Sequence, residues 1–153
     1  MKFPLRPGMP GDAVALACVD RAANGGAATR AWSAERFATA CTGGAGERVL
    51  VCPAGGGLVA YIVYALAPGQ ASVHSIAVLA VRRRLGLGGA MMDAAFADMR
   101  ASGAGRCLLE VRDSNTAART FYESRGFGLD GVRRNYYPCD VGREDALLMS
   151  LRL

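Results

Sequence analysis

Three adjacent arginines, Arg82, Arg83 and Arg84, run directly into the glycine-rich stretch Gly86-Leu87-Gly88-Gly89. An apolar strand precedes them, and the amphipathic run 90–100 follows. A helix that opens at such a turn presents unpaired backbone N–H groups and the positive end of its dipole to whatever lies in front of it. Gly86 and Gly88 let a ligand approach the backbone closely. The chemistry this spacing suits is phosphate binding. A P-loop is excluded because Gly88-Gly89-Ala90-Met91 carries neither the Lys nor the Ser/Thr that such a loop requires. A dinucleotide-binding turn fails as well. Its third glycine would fall at Met91, and a hairpin meander precedes the turn where a βαβ series belongs, although Glu110 ends the next strand at about the distance of a ribose-binding acid. Glycines that merely permit tight packing are the plainest alternative, but three neighbouring arginines repel one another unless an anion is present.

The elements around this turn follow from periodicity. An extended start over 2–6 leads to a helix from about Pro10 to Ala23, stopped at Asn24-Gly25-Gly26. Ser33 is an N-cap with Glu35 in the first turn of a second short helix. Trp32, just ahead of the cap, is either a hydrophobic anchor or part of the lining of a substrate groove. The apolar runs 48–53 and 58–66 join through Gly55-Gly56-Gly57 as a hairpin, and 72–78 adds a third strand. Met91, Met92, Ala95, Phe96 and Met99 give the helix 90–100 a core face. A strand over 107–112 ends in charge, Asn115 caps a helix through Ser124, and strands at 127–134 and 145–153 close the chain. The fold class is α/β, with a mixed central sheet of about six or seven strands flanked by about four helices, all in one domain over 1–153.

Of the 153 residues, 52% are hydrophobic and 20% charged, as in a globular chain. A net charge of +5 raises the question of nucleic acid, but the arginines concentrate at 82–84 and 133–134 and no nucleic-acid motif appears. A ligand with a few phosphates accounts for them equally well. The five cysteines show no metal-ligand spacing, and His74 is the only histidine, so no metal site is expected. Four of the cysteines lie in apolar or small-residue settings and read as buried thiols. No signal segment and no run of about 18 apolar residues occurs, so a soluble, cytoplasmic protein is expected.

Arg83-Arg84-Leu85-Gly86-Leu87-Gly88 resembles the Gln/Arg-x-x-Gly-x-Gly/Ala signature of the GCN5-related N-acetyltransferases, in the same place between a strand and a helix. Leu109-Glu-Val-Arg112, Asn115 and Phe121-Tyr-Glu-Ser-Arg-Gly-Phe127 extend the match. Arg133-Arg-Asn-Tyr-Tyr-Pro138 with Gly142-Arg-Glu-Asp-Ala-Leu-Leu-Met149, and more weakly Trp32-Ser33, resemble the bacterial ribosomal-protein-alanine N-acetyltransferases. The likeness is carried by residues 73–151. Leu79-Ala80-Val81 departs from it, since relatives usually carry an acidic residue and a proline there, and Gly89 stands where a basic or hydroxylated residue is common.

The resemblance implies an acetyl-CoA-dependent transferase acting on the α-amine of a protein N-terminus, with a sheet splayed at the acetyl-CoA site. A small-molecule amine or lysine acetyltransferase and a non-catalytic acyl-CoA-sensing domain are the alternatives. Backbone N–H groups from Arg84 through Leu85, Gly86, Leu87 and Gly88 to Gly89 are expected to hold the pyrophosphate, with Arg82, Arg83 and Arg84 adding charge. Ile76, Ala77 and Val78 are expected to run beside the pantetheine arm, one N–H polarising the thioester oxygen. Glu110 is expected to accept the acceptor's proton, with partial burial raising its pKa. A salt bridge to Arg112 or Arg106 is its structural alternative. Tyr122 is expected to protonate the departing thiolate, or else to be a packed core tyrosine. Asn115 is expected both to cap its helix and to touch the cofactor. Trp32, Tyr136 and Tyr137 are expected to shape the acceptor groove, and Glu35, Asp140, Glu144 or Asp145 to line the path of a basic peptide. No membrane and no specific nucleic acid are expected among the partners.

Overall fold

The computed structural model describes residues 3–23, 31–139 and 141–153. Along the chain these form β1 (Arg6–Pro7), α1 (Ala13–Ala23), α2 (Ala34–Cys41), β2 (Glu47–Ala54), β3 (Gly57–Ala67), β4 (Gln70–Val78), α3 (Leu87–Ala101), β5 (Arg106–Arg112), α4 (Thr116–Ser124), β6 (Gly128–Cys139) and β7 (Gly142–Arg152). The strands make one mixed sheet in the order β1-β2-β3-β4-β5-β7-β6.

Residues 58–64 of β3 are all buried, so this strand has to be covered on both faces. Leu16, Phe37, Val51 and Tyr61 form the core under α1 and α2. Ile62, Met91, Met92, Met99, Cys107 and Tyr122 form the core under α3 and α4. Truncating one of the fully buried methionines to alanine would cost about 2–5 kcal/mol.

Ser33 caps α2 as expected, its Oγ accepting from the Arg36 N–H at 3.1 Å. Residues 10–12 form a single 3-10 turn, and α1 begins at Ala13. Three further expectations shift. α3 starts at Leu87, so Gly88 and Gly89 lie in its first turn; burial of Leu87 outweighs the poor helix propensity of the glycines. β6 runs on through Tyr136 and Tyr137 to Cys139, and β7 begins at Gly142, because Asn135 takes φ 52° within a register shift and lets pairing resume beyond it. Of the cysteines, only Cys52 and Cys107 are buried; Cys41 and Cys139 are half-buried and Cys18 is exposed. The stop at Asn24-Gly25-Gly26, Lys2 of the extended start, and Asp140 lie outside the described residues.

The feature that positions the site is an interrupted strand pair. β4 and β5 are parallel but pair only over Gln70–Ser72 and Arg106–Leu108. Beyond that, β4 stays with β3 as far as Val78, while β5 follows β7 as far as Arg112. The sheet therefore opens into a wedge whose walls are two strands with free backbone edges.

Candidate active site

A cleft of about 860 Å³ occupies the wedge. β4 contributes Ile76, Ala77 and Val78 to its walls, β5 contributes Glu110, and Asn115 and Tyr122 come from the cap and body of α4. Arg83, Arg84, Gly86, Leu87, Gly88 and Gly89 close one end. The structure thus gathers into one cavity residues that span much of the sequence.

The α3 end of the cleft joins an uncapped helix start to the arginine turn. Gly86 is the N-cap with φ 83°, a left-handed conformation that glycine takes without strain, and no side chain caps the helix. Its first-turn N–H groups therefore have no side-chain acceptor. Arg84 also has a positive φ, 64°. Arg83 Nε donates to the Val78 carbonyl at 3.0 Å, tying the arginine turn to the free end of β4. Arg82 lines the cleft too, and among the described residues neither Arg82 nor Arg84 is in an ion pair. Leu79-Ala80-Val81, where the sequence leaves the family pattern, is accommodated by a 3-10 turn over Ala80–Arg82.

The proton-moving candidates differ in setting. Tyr122 is 8% exposed, its ring 5.7 Å from Phe127 and 5.6 Å from Phe121, and burial pushes its phenol up to about 12. It is thus a packed tyrosine that also lines the cleft. The Glu110 side chain is 34% exposed and lies 3.7 Å from Arg133 Nε. Neither Arg112 nor Arg106 forms a salt bridge with it. Arg106 instead meets Asp130 at 3.2 Å, and Arg112 donates to the Pro138 carbonyl and stacks over Tyr137 at 4.4 Å. Asn115 Oδ1 accepts from the Ala118 N–H at 3.2 Å, fixing the start of α4 against the cleft.

A second cleft of about 720 Å³ opens on the sheet face that α1 and α2 leave uncovered beyond β4. Four residues line both clefts: Trp32, His74, Glu110 and Tyr137. Arg36 stacks over Trp32 at 4.0 Å, and burial raises the Tyr137 phenol. Tyr136 packs edge-on against Tyr137 at 5.0 Å, but it and Leu85 line neither cleft. Leu85 can therefore contribute only its backbone. Glu35, Glu144 and Asp145 are also outside both linings; Glu144 accepts from Ser114 and Asp145 from the Asn135 N–H.

Sequence reading missed His74 and Ser75. Val63 pairs with Ser75 and Tyr64 with Val73, which leaves His74 as the extra residue of a bulge. A bulge of this kind re-aims side chains next to a site. His74 Nδ1 lies 2.6 Å from the buried Glu47, which Arg36 grips with two hydrogen bonds of 2.6 and 2.7 Å. Ser75 Oγ is 2.7 Å from the Tyr61 hydroxyl, which donates to the buried Asp20 at 2.7 Å, and Asp20 also accepts from the Trp32 N–H at 2.6 Å. Burial, followed by the Asp20 charge, raises the Tyr61 phenol. The one available signal was that His74 is the only histidine; nothing local announces the bulge.

A splayed mixed sheet with an uncapped helix start at one end of its opening, and with Glu110 and Tyr122 along its walls, is the site architecture of this chain. The family model of the Acetyltransferase (GNAT) family matches residues 16–127, and the chain belongs to that family. It is an acyltransferase whose acyl donor is acetyl-CoA. The chain is 38% identical over 122 residues to the ribosomal protein bS18-alanine N-acetyltransferase of Escherichia coli K12, covering 78% of this chain and 80% of that protein. A crystal structure of the Escherichia coli enzyme matches with TM-score 0.85 at 30% identity, over 99% of this chain and 94% of that one. The PaiA N-acetyltransferase of Thermoplasma acidophilum, in complex with coenzyme A, shares the fold at TM-score 0.80 and 16% identity, with 100% of both chains covered. Among the described residues no group of metal-ligating side chains occurs, and no helix is long and apolar enough to cross a membrane.

Proposed function

We propose that this enzyme acetylates the N-terminal alanine of ribosomal protein bS18, working in the cytoplasm. The observation that carries the chemistry is the wedge itself: free strand edges, an uncapped helix start, Glu110 and Tyr122 meet in one cavity. The acceptor is supported by the 38% identity to an enzyme named for that substrate.

In this reading the N–H groups from Arg84 to Gly89 hold the pyrophosphate, with Arg82 and Arg84 supplying charge that no carboxylate among the described residues pairs with. Pantetheine lies along Ile76–Val78 as an added strand, and one of these N–H groups polarises the thioester oxygen. The peptide enters through the second cleft, between Trp32 and Tyr137, and presents its amine at Glu110. The amine nitrogen attacks the carbonyl carbon, the C–S bond breaks, and Tyr122 gives its proton to the thiolate. Its high pKa keeps Tyr122 protonated throughout the neutral range. Asn115 both caps α4 and borders the donor.

Thiol release and peptide mass, measured with alanyl peptides, with lysine side-chain acceptors and with small amines, test the assignment. The expected result is a kcat/KM for the alanyl peptide at least about 10²-fold above the others. Preference for a small amine would overturn the acceptor, and absence of thiol release with every amine would leave a donor-binding domain only.

A further inference from the structure

An α-ammonium sheds two protons on becoming an amide N–H, and Glu110 can hold one of them. The second needs another acceptor facing the same nitrogen. His74 and Glu110 each lie two residues beyond the last β4–β5 pair, Ser72 with Leu108, and both side chains border the two clefts where these meet. His74 stands on the bulge of β4, with its side chain about one-third exposed (32%).

Behind His74 lies an orienting arrangement. The Glu47 side chain is 1% exposed, and its carboxylate lies against His74 Nδ1. A carboxylate only accepts, so it fixes the neutral imidazole with its proton on Nδ1 and the lone pair on Nε2. Nε2 is 3.0 Å from the hydroxyl of Ser72, a rotor that can turn away, and Ser72 lines the second cleft as well. Arg36 binds both oxygens of Glu47 and keeps that carboxylate in place. A carboxylate-held imidazole facing a cleft is the arrangement of a general base.

We infer that His74, oriented by Glu47, accepts the first proton of the acceptor ammonium, and that Glu110 accepts the second from the tetrahedral adduct. This rests on the amine-acceptor reading above. The protons balance. His74 Nε2 takes one from R–NH₃⁺, the neutral amine adds to the thioester, and Glu110 takes one from the nitrogen of the adduct. The C–S bond breaks and Tyr122 protonates the sulfur. One of the two captured protons restores Tyr122, and the other leaves to solvent. The charged and titratable groups around His74 are Glu47 with Arg36 behind it and, bordering the same second cleft, Glu110, Arg133, Arg106, Asp130 and Tyr137.

The test compares two acceptor peptides, one alanyl and one bearing an aminooxyacetyl terminus that is uncharged at pH 7 and sheds only one proton. His74→Asn keeps a donor towards Glu47 and removes Nε2. It is expected to lower kcat/KM for the alanyl peptide about 10²-fold at pH 7, to leave the aminooxy peptide within about twofold of wild type, and to leave acetyl-CoA affinity unchanged. Glu110→Gln is expected to slow both acceptors. His74→Ala supplies a second readout, because added imidazole should restore part of its alanyl-peptide rate. Equal losses for both peptides with no imidazole rescue, or no loss for either, overturn the proton assignment alone. Failure of the wild-type enzyme to acetylate any alanyl peptide overturns the acceptor reading and this inference with it.

Discussion

Gly88, in the first turn of α3, faces the ring of Phe121 on α4 across the floor of the donor cleft: a Cβ on Gly88 would sit 3.6 Å from that ring and 3.8 Å from Val78. These are ordinary van der Waals distances, so alanine fits there and a branched side chain occupies the wedge. Gly88→Ala should fold with near wild-type stability, while Gly88→Val should weaken acetyl-CoA binding by tenfold or more. Gly86→Ala should behave differently, losing about 1–2 kcal/mol of stability because φ 83° opposes a side chain. Calorimetric titration with acetyl-CoA, beside thermal melts of the three variants, checks all of this; normal affinity in folded Gly88→Val would remove the donor assignment.

Glu110→Gln and Tyr122→Phe should each lower kcat about 10²–10⁴-fold while leaving acetyl-CoA affinity intact. For Tyr122 the sign of the pH effect follows from its raised value of about 12: the phenol keeps its proton, and hence its ability to donate, up to well above pH 10. No fall in kcat between pH 8 and about pH 10 should therefore depend on Tyr122. Rate profiles of wild type and Tyr122→Phe that differ in shape within that range would contradict the role.

Acid should unfold the protein through three carboxylates. The Asp12 carboxyl is lowered chiefly by its hydrogen bond to Arg6. Burial pushes Glu47 and Asp98 up, but Arg36 with His74, and Tyr64 with Arg48, outweigh it and leave both lowered. Groups lowered on folding add stability that is complete above their unfolded values, near pH 4, and is lost as pH falls through the folded ones. Denaturant midpoints should accordingly be flat from about pH 6 to 5 and fall steeply below about pH 4. Glu47→Gln should cost about 1–3 kcal/mol at neutral pH and make the acid slope shallower.

Thiol reactivity should divide the cysteines by burial. Cys18 is exposed and should react first with an aromatic disulfide reagent. Cys41 should lag, because burial and then the Asp12 charge raise its thiol. Burial pushes Cys107 up to about 12, and with Cys52 it should react only on unfolding. Rapid modification of all five in the native protein would contradict the packing of both strands.

Much of the α3 end of the cleft was legible in the chain, because its parts are local. Gly86, Gly88 and the arginines before them are neighbours in sequence, and a helix start needs nothing distant to offer its N–H groups. Asn115 announced its cap, and the periodicity of Met91, Met92 and Met99 announced the face of α3. Tyr136 was harder to place: it sits beside Tyr137 in sequence, but alternation along β6 sends only Tyr137 to the clefts. The partner of Glu110 was hidden for a related reason. Arg133 reaches it from β6, two strands away across β7, and no spacing in the sequence encodes that neighbour.

By itself, then, the sequence determined the order of strands and helices and the glycine turn that starts α3, and it singled out Glu110 and Tyr122 though not His74, since these depend on local propensity and side-chain chemistry. Tertiary structure alone decided where β4 and β5 part, that Leu87 rather than Ala90 begins the helix, and that His74 and Glu110 border one opening. Those outcomes depend on which strands keep their partners and which side chains gain burial, a competition settled among residues far apart in the chain.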